Sequence, residues 1–243
     1  MSISAVEDCQ RELLARIERD GFAFLRGAVS TSELEEMRGL FAAPHHYPNV
    51  ARRGDSIYGI RDLLTTVTGI REAASRSPLI DWVTKILGPS SRPVYGVFFD
   101  KTSTANWPIP WHQDITIRVR ERRDVPGFEH RPVKDGTVHL IPPVELSSEM
   151  LALRIHLDDA SSTHGALRVI PGSHRLGRLS NEELQRRTIA ANSVTCEVRA
   201  GDIMLMRPLL VHASSACGHP GHRRVIHVEY AAFDLPGGLE WHG

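Results

Sequence analysis

From Val94 onward the chain keeps setting down short segments of β character, each bounded by Gly, Pro or Asp, and this texture limits the possible folds most. The segments are Val94 to Phe99, Trp111 to Val119, Met150 to Leu157, Leu167 to Ile170, Ser193 to Val198, Ile203 to Met206 and Val225 to Ala231. Short strands at this spacing suggest a sandwich or barrel and not βαβ units.

The first third reads differently. Val6 to Ile17 places Val6, Leu13, Leu14 and Ile17 on one apolar face, and Gly21 stops that helix before a short strand, Phe22 to Leu25. Ser32 with Glu35 three residues on has the form of a capping box, opening a helix through Leu34, Met37 and Leu40. A further helix covers Leu79 to Leu87 and ends at Gly88-Pro89. At 243 residues the expectation is one domain, 1–243, with a helical buttress over about 1–90 and a β core over about 91–235. No internal repeat or low-complexity segment interrupts it.

Composition narrows the function. With 29 basic and 29 acidic residues, no summed field draws the chain to nucleic acid or an anionic membrane. The Arg-rich stretch Arg118 to Arg123 contains Glu121 and runs into Asp124, the mark of a solvated loop. Cys9, Cys196 and Cys217 lie far apart and form no C-x-x-C, which argues against disulfides and a thiolate metal site. No secretory signal and no membrane-length apolar run is visible, so a reducing cytoplasm is expected.

The stretch Trp111-His112-Gln113-Asp114-Ile115 carries the chemistry. In a strand, residues i and i+2 share a face, so His112 and Asp114 would project together into a barrel interior while Gln113 points away. An imidazole and a carboxylate at this spacing can occupy two adjacent corners of a metal's coordination sphere. A third ligand would leave the open facial site of the non-haem Fe(II) oxygenases. H-x-D by itself is common in a chain with 13 histidines. The rest of the constellation follows Gly201-Asp202 and the strand Ile203 to Met206: Val211-His212-Ala213-Ser214, then Arg223 eleven residues beyond His212. Arg223 would face a carboxylate held near the metal, because a guanidinium fork matches a carboxylate bidentately. Ser214 could donate to the same carboxylate. Open metal positions with a distant carboxylate anchor describe a 2-oxo acid.

At this point the residues resemble the phytanoyl-CoA dioxygenase (PhyH) family of Fe(II)/2-oxoglutarate oxygenases, over nearly the whole chain. The likeness rests on Asp20-Gly21-Phe22 before a capped helix and on Phe99-Asp100-Lys101 through Asn106-Trp107 to Trp111-His112-Gln113-Asp114. It continues through Arg154-Ile155-His156-Leu157-Asp158-Asp159, Gly165-Ala166-Leu167 and Pro171-Gly172-Ser173-His174 to His212-x-Ser214, Arg223 and Tyr230. The resemblance implies a mainly β fold, a double-stranded β-helix (jelly-roll, cupin-like) core with flanking N-terminal helices. It implies iron on His112, Asp114 and His212, the 2-oxoglutarate C5 carboxylate on Arg223 and Ser214, and Gln113 near the co-substrate. Related halogenases replace the carboxylate ligand by a small residue, and this chain keeps Asp114.

The implied activity is hydroxylation of a small-molecule metabolite, free or carried as a CoA or carrier thioester, with 2-oxoglutarate and O2 as co-substrates and succinate and CO2 released. The same scaffold also supports desaturation, epimerisation or cyclisation, and a cupin dioxygenase without 2-oxoglutarate or a non-catalytic binding protein are the more distant alternatives. Lys101, Asn106 and Trp107 precede the metal strand as candidate substrate or supporting residues. Lys101 is either a contact for an anionic group or an ordinary exposed Lys, and Trp107 either core or pocket wall. His174 is expected to brace its loop, His45-His46 to serve a local loop, and His156 and His227 to be satisfied core or surface histidines. Arg224 should point away from the anchor. The Arg-rich loop between Ile117 and Leu140 has the length of a lid.

Overall fold

A computed structural model describes residues 3–42, 46–53, 56–134, 136–190, 192–218 and 221–243; His45 lies outside them. The N-terminal part runs α1 (Ile3–Asp20), β1 (Phe22–Leu25), α2 (Thr31–Leu40), β2 (Val50–Arg53), β3 (Ser56–Ile60), α3 (Leu63–Thr66), α4 (Ile70–Ala74) and α5 (Leu79–Leu87). Then come β4 (Arg92–Lys101), β5 (Ile109–His112), β6 (Ile117–Val119), β7 (Glu129–His130), β8 (Val138–Ile141), α6 (Val144–Ser148), β9 (Leu151–His156) and β10 (Leu167–Val169). The chain closes with α7 (Asn181–Ala190), β11 (Val194–Cys196), β12 (Ile203–Met206), β13 (His212–Ser214) and β14 (Arg223–Ala231).

Seven strands form one antiparallel sheet in the order β1-β12-β9-β14-β4-β3-β2, and four form a second, β11-β10-β13-β5. The two face each other across a cavity walled by β4, β9 and β14 on one side and by β5, β10 and β13 on the other. This is a jelly roll, with the helices packed on the outer face of the larger sheet.

The period-two alternation of the central strands explains the layering. On β9, Leu151, Leu153 and Ile155 join Ile226, Val228 and Tyr230 of β14 in the core beneath the helices, with Ile17, Leu63 and Val83. The alternate residues, Arg154 on β9 and Arg223, His227 and Glu229 on β14, line the cavity instead. Both faces of the large sheet are therefore covered, which is why its central strands read as nearly continuous apolar runs. Tyr230 is fully buried and donates its hydroxyl to Ala74 O at 2.9 Å, tying sheet to helix layer. Leu153→Ala should lower the unfolding free energy by ~2–5 kcal/mol, the cost of an unrelaxed core cavity; urea unfolding at constant m-value measures it.

Several local expectations need correction. The capping box opens α2 two residues earlier than the sequence pattern suggested: Ser30 is the N-cap, Glu33 N–H donates to Ser30 Oγ, and Glu33 Oε2 accepts from Ser30 N–H. The predicted strand Trp111 to Val119 is two strands, broken after His112. The segment 117–140 is not an open loop. It folds as a third sheet, β6-β8-β7, whose Ile117, Val119 and Leu140 pack with Leu235, Leu239 and Trp241 from the C-terminus. Gly21 does end α1, at φ 83°, and a Cβ there would lie 2.5 Å from His174 Nδ1, so His174 braces this junction. No helix among the described residues is long and apolar enough to cross a membrane.

Candidate metal centre and its cavity

β13 pairs with β5 so that His212 stands directly opposite His112 on the smaller sheet. Asp114 lies two residues beyond the end of β5, where its N–H donates to Pro208 O at 2.9 Å and turns the carboxylate back toward both rings. The strand argument thus placed Asp114 beside His112 correctly, but a backbone capture and not strand alternation holds it there. Ligand atoms of His112, Asp114 and His212 all lie within 4.8 Å of one another.

Both imidazoles are oriented by the same device. His112 Nδ1 lies 2.8 Å from Pro110 O, and His212 Nδ1 lies 2.8 Å from Leu210 O, so each Nδ1 carries the proton and each Nε2 keeps its lone pair. The two Nε2 atoms converge on Asp114, at 3.8 Å and 3.7 Å, too far for hydrogen bonds and open enough between them for an ion. Burial would raise the Asp114 carboxyl, but His212 and His112, helped by His227 and Arg154, outweigh it and bring it down to about 2. Burial pushes His212 down to about 3 against the pull of Asp114. His212 and Asp114 thus offer a neutral imidazole and a carboxylate at neutral pH. With His112 they form a donor set that fits a divalent iron.

Beyond the triad the cavity turns cationic. Lys101 and Arg223 are register partners on β4 and β14, both essentially buried. Lys101 Nζ donates to Ser214 Oγ at 2.9 Å and to Ser215 O at 2.7 Å. Arg154, also buried, donates to His227 Nδ1 at 3.1 Å. Arg154 Nε and Arg223 Nε are buried with no hydrogen-bond partner. Burial, then Arg223 and Arg154, press Lys101 down to about 7; burial and Arg154 bring Arg223 down to about 10. Buried donors without acceptors next to unneutralised charge fit an incoming carboxylate.

Trp107 forms part of the cavity wall, with its ring edge-on to Tyr58 and Lys101 Nζ 5.5 Å from its centroid. Asn106 works one layer out: its amide clamps Cys217 through both backbone groups, at 2.5 Å and 2.6 Å, fixing the segment after Ser214. Gln113 does not join the cavity. Its side chain bonds Gly177 O, Leu209 O and Leu179 N–H, and so holds the neighbouring loops. Arg224 faces outward and grips Asp158 bidentately at 2.8 Å and 2.7 Å.

Sequence reading gave no cavity role to four lining residues, placing Arg118 in a solvated loop and His227 among the satisfied histidines. Arg154, His227, Glu229 and Arg118 form a polar track along the cavity: after the Arg154–His227 bond, His227 Nε2 lies 3.7 Å from Glu229 Oε1, which in turn meets Arg118 NH1 at 3.4 Å. The available signal was isolated polar residues on one face of otherwise apolar strands, His227 and Glu229 two apart on β14 and Arg154 alone within Leu-Ala-Leu-Arg-Ile on β9. His156, by contrast, is buried with neither ring nitrogen partnered, and burial holds it well below the usual histidine range, so it stays neutral.

A family model described as phytanoyl-CoA dioxygenase (PhyH) matches residues 17–225. No curated protein sequence matches. Among solved structures, the non-haem alpha-ketoglutarate-dependent epimerase SnoN from nogalamycin biosynthesis superposes with a TM-score of 0.68 at 19% identity, over 96% of this chain and 91% of that one. EctD from S. alaskensis, crystallised with 2-oxoglutarate and 5-hydroxyectoine, gives 0.70 at 18% identity, over 95% and 76%. The carbocyclase SnoK, also alpha-ketoglutarate dependent, gives 0.68 at 17% identity, over 90% and 83%. At such identities these likenesses speak to the fold.

Proposed function

Because the chain belongs to the phytanoyl-CoA dioxygenase family, we propose that it is an Fe(II)- and 2-oxoglutarate-dependent oxygenase that hydroxylates an unactivated C–H of a small-molecule metabolite. The observation that carries the reading is the convergence of His112, Asp114 and His212 beside two buried guanidinium groups whose Nε atoms have no acceptor. His112 Nε2, His212 Nε2 and an Asp114 oxygen would hold the iron. Arg223 would take the far carboxylate of 2-oxoglutarate, with Ser214, whose hydroxyl accepts from Lys101 and so turns its own proton toward the anion. Bound there, iron and 2-oxoglutarate would supply the O2 chemistry that oxidises a C–H bond and releases succinate and CO2.

The chain's own residues bind and orient. Pro110 and Leu210 carbonyls fix the two rings; Asn106 fixes the strand exit that carries Ser214. Tyr95, Val97, Phe99 and Trp107 give the substrate a largely apolar wall that excludes water from the reacting carbon. Among the described residues no disulfide joins Cys9, Cys196 and Cys217, and we place the enzyme in a reducing cytoplasm on that ground.

Lys101 makes the reading testable by pH. In the free protein its ammonium titrates at about 7. A bound carboxylate favours the charged form and raises that value, so binding takes up a proton above about pH 7. The affinity for 2-oxoglutarate is fully present below that point and weakens as pH climbs through it. Calorimetry in buffers of different ionisation enthalpy reads the proton uptake directly, and a pH-independent affinity would remove Lys101 from the anchor.

The reaction outcome has its own test. With the true substrate, hydroxylation gives a product one oxygen atom heavier, labelled from O2. Desaturation or cyclisation gives one two hydrogens lighter, and epimerisation leaves the mass unchanged. Either of the last two results overturns the hydroxylase assignment while leaving the oxygenase scaffold intact.

A further inference from the structure

The side chains on the inner face of the larger sheet stand in rows that give the cavity a direction. Lys101 and Arg223 form one row across β4 and β14. Phe99, Val225 and His156 form the next, and Val97, His227 and Arg154 the third. Ser214 meets Lys101 in the first row, and His212 lies two residues back along β13, so the triad sits past the anchor row. Arg154 closes the same stretch from the other end. Burial lowers the proton affinity of its guanidinium, and the largest charge opposing that is Asp114. After burial, Arg154 is also the main charge lowering Arg223, so its field reaches both the triad and the anchor.

A count of the lining charges leaves Arg154 over. The wall carries four cations, Lys101, Arg118, Arg154 and Arg223, against two carboxylates, Asp114 and Glu229. Glu229 meets Arg118 at 3.4 Å, and that pair cancels. Asp114 belongs to the triad. Lys101 is satisfied by Ser214 and Ser215. Arg154 and Arg223 then have no carboxylate partner among the described residues. Both are more than nine-tenths buried, and each keeps an Nε with no acceptor. One Arg154 donor, NH1, is used on His227 Nδ1 at 3.1 Å, which as an acceptor brings no negative charge. A buried guanidinium in this condition is costly until an anion meets it. One carboxylate on Arg223 leaves the other guanidinium still waiting.

On the oxygenase reading above, we propose that Arg154 is the second arm of the co-substrate site: with the far carboxylate of the 2-oxo acid on Arg223, Arg154 takes the carboxylate at the metal end. The site then selects a dicarboxylate the length of 2-oxoglutarate and holds it at both ends, with or without iron. A monocarboxylate leaves one buried guanidinium without its acceptor, which costs affinity.

The test compares glutarate with pentanoate, the same chain with a methyl group in place of one carboxylate, by calorimetric titration of the full-length protein. Metal-free, the parent should bind glutarate roughly tenfold or more tighter than pentanoate, the gain from one charge-assisted hydrogen bond. Arg154→Gln keeps a neutral donor for His227 Nδ1. It should bring the two acids within about twofold of each other, while pentanoate itself weakens less than about threefold. Arg154→Lys restores the charge and should recover part of the preference. With Fe(II) bound under argon, 2-oxoglutarate should bind Arg154→Gln about tenfold more weakly than the parent.

Equal binding of glutarate and pentanoate to the parent, a comparison that needs no variant, overturns the proposal. So does a preference that persists in Arg154→Gln, which would leave the guanidinium for an anion on the substrate. An equal loss for both acids, the mark of a structural arginine, or an unchanged 2-oxoglutarate affinity in iron-loaded Arg154→Gln overturns it too. Succinate formed from 2-oxoglutarate and O2 reports separately on the metal site: its absence in the parent sinks the oxygenase reading, while the glutarate titrations still decide Arg154.

Discussion

Asp114→Ala is expected to yield a folded protein that no longer retains Fe(II) and shows no turnover above background. The carboxylate is the anionic member of the triad, and both ring nitrogens converge on it at 3.7–3.8 Å. Loss of an outer partner of a metal ligand already costs ~10–100-fold in affinity, so loss of the ligand itself costs more. Folding should survive, because burial keeps His212 neutral and the substitution strands no imidazolium there. Anaerobic iron titration followed by 2-oxoglutarate consumption checks both halves. Retained iron with retained turnover would remove Asp114 from the triad.

Arg223→Leu has the second-largest expected effect, on a different parameter. A charge-assisted hydrogen bond to a carboxylate contributes ~1.5–3 kcal/mol, so the KM for 2-oxoglutarate should rise roughly tenfold to a hundredfold. The structure adds a second sign. Arg223 is buried, its Nε has no partner, and burial with Arg154 lowers its proton affinity to about 10. Removing an uncompensated buried charge relieves the ligand-free fold, so the variant should unfold at the same or higher urea concentration. A structural arginine would behave in the opposite way: lower stability with unchanged KM.

The parts of the fold legible in the sequence are those where local pattern and tertiary role agree. α5 runs from Leu79 to Leu87 as its apolar spacing and Gly88 indicate, and β12 matches Ile203 to Met206. β2, β3, β7 and β8 escaped because they are short, although Gly54-Asp55 between β2 and β3 and Asp135-Gly136 before β8 are dipeptides that signal a hairpin turn in the sequence. α2 shows how a signal misleads by two residues: Ser30 and Ser32 both precede a Glu at the right spacing, and the Ser30 backbone, extended at ψ 161°, decides between them.

At the site, His112, Asp114, His212, Ser214 and Arg223 do come together, because ligand spacing and a strand-borne arginine leave a trace in one dimension. Arg154 left a weaker trace. A single arginine within Leu-Ala-Leu-Arg-Ile reads as an edge residue until both faces of β9 are known to be covered. Gln113 shows the reverse: the family resemblance implied a place near the co-substrate, yet its amide is fully engaged by backbone at Gly177, Leu179 and Leu209. Strand alternation, which turns Gln113 away from the face of its two neighbours, was the better guide.

The central claim is that His112, Asp114 and His212 together with Arg223 make this an iron and 2-oxoglutarate site. The most direct measurement is succinate released by the anaerobically iron-loaded protein after adding 2-oxoglutarate and O2, with and without a metabolite library. Succinate above the metal-free control, stimulated by one class of metabolite and lost in Asp114→Ala, is the expected result. No succinate under any condition, with Fe(II) demonstrably bound, would contradict it.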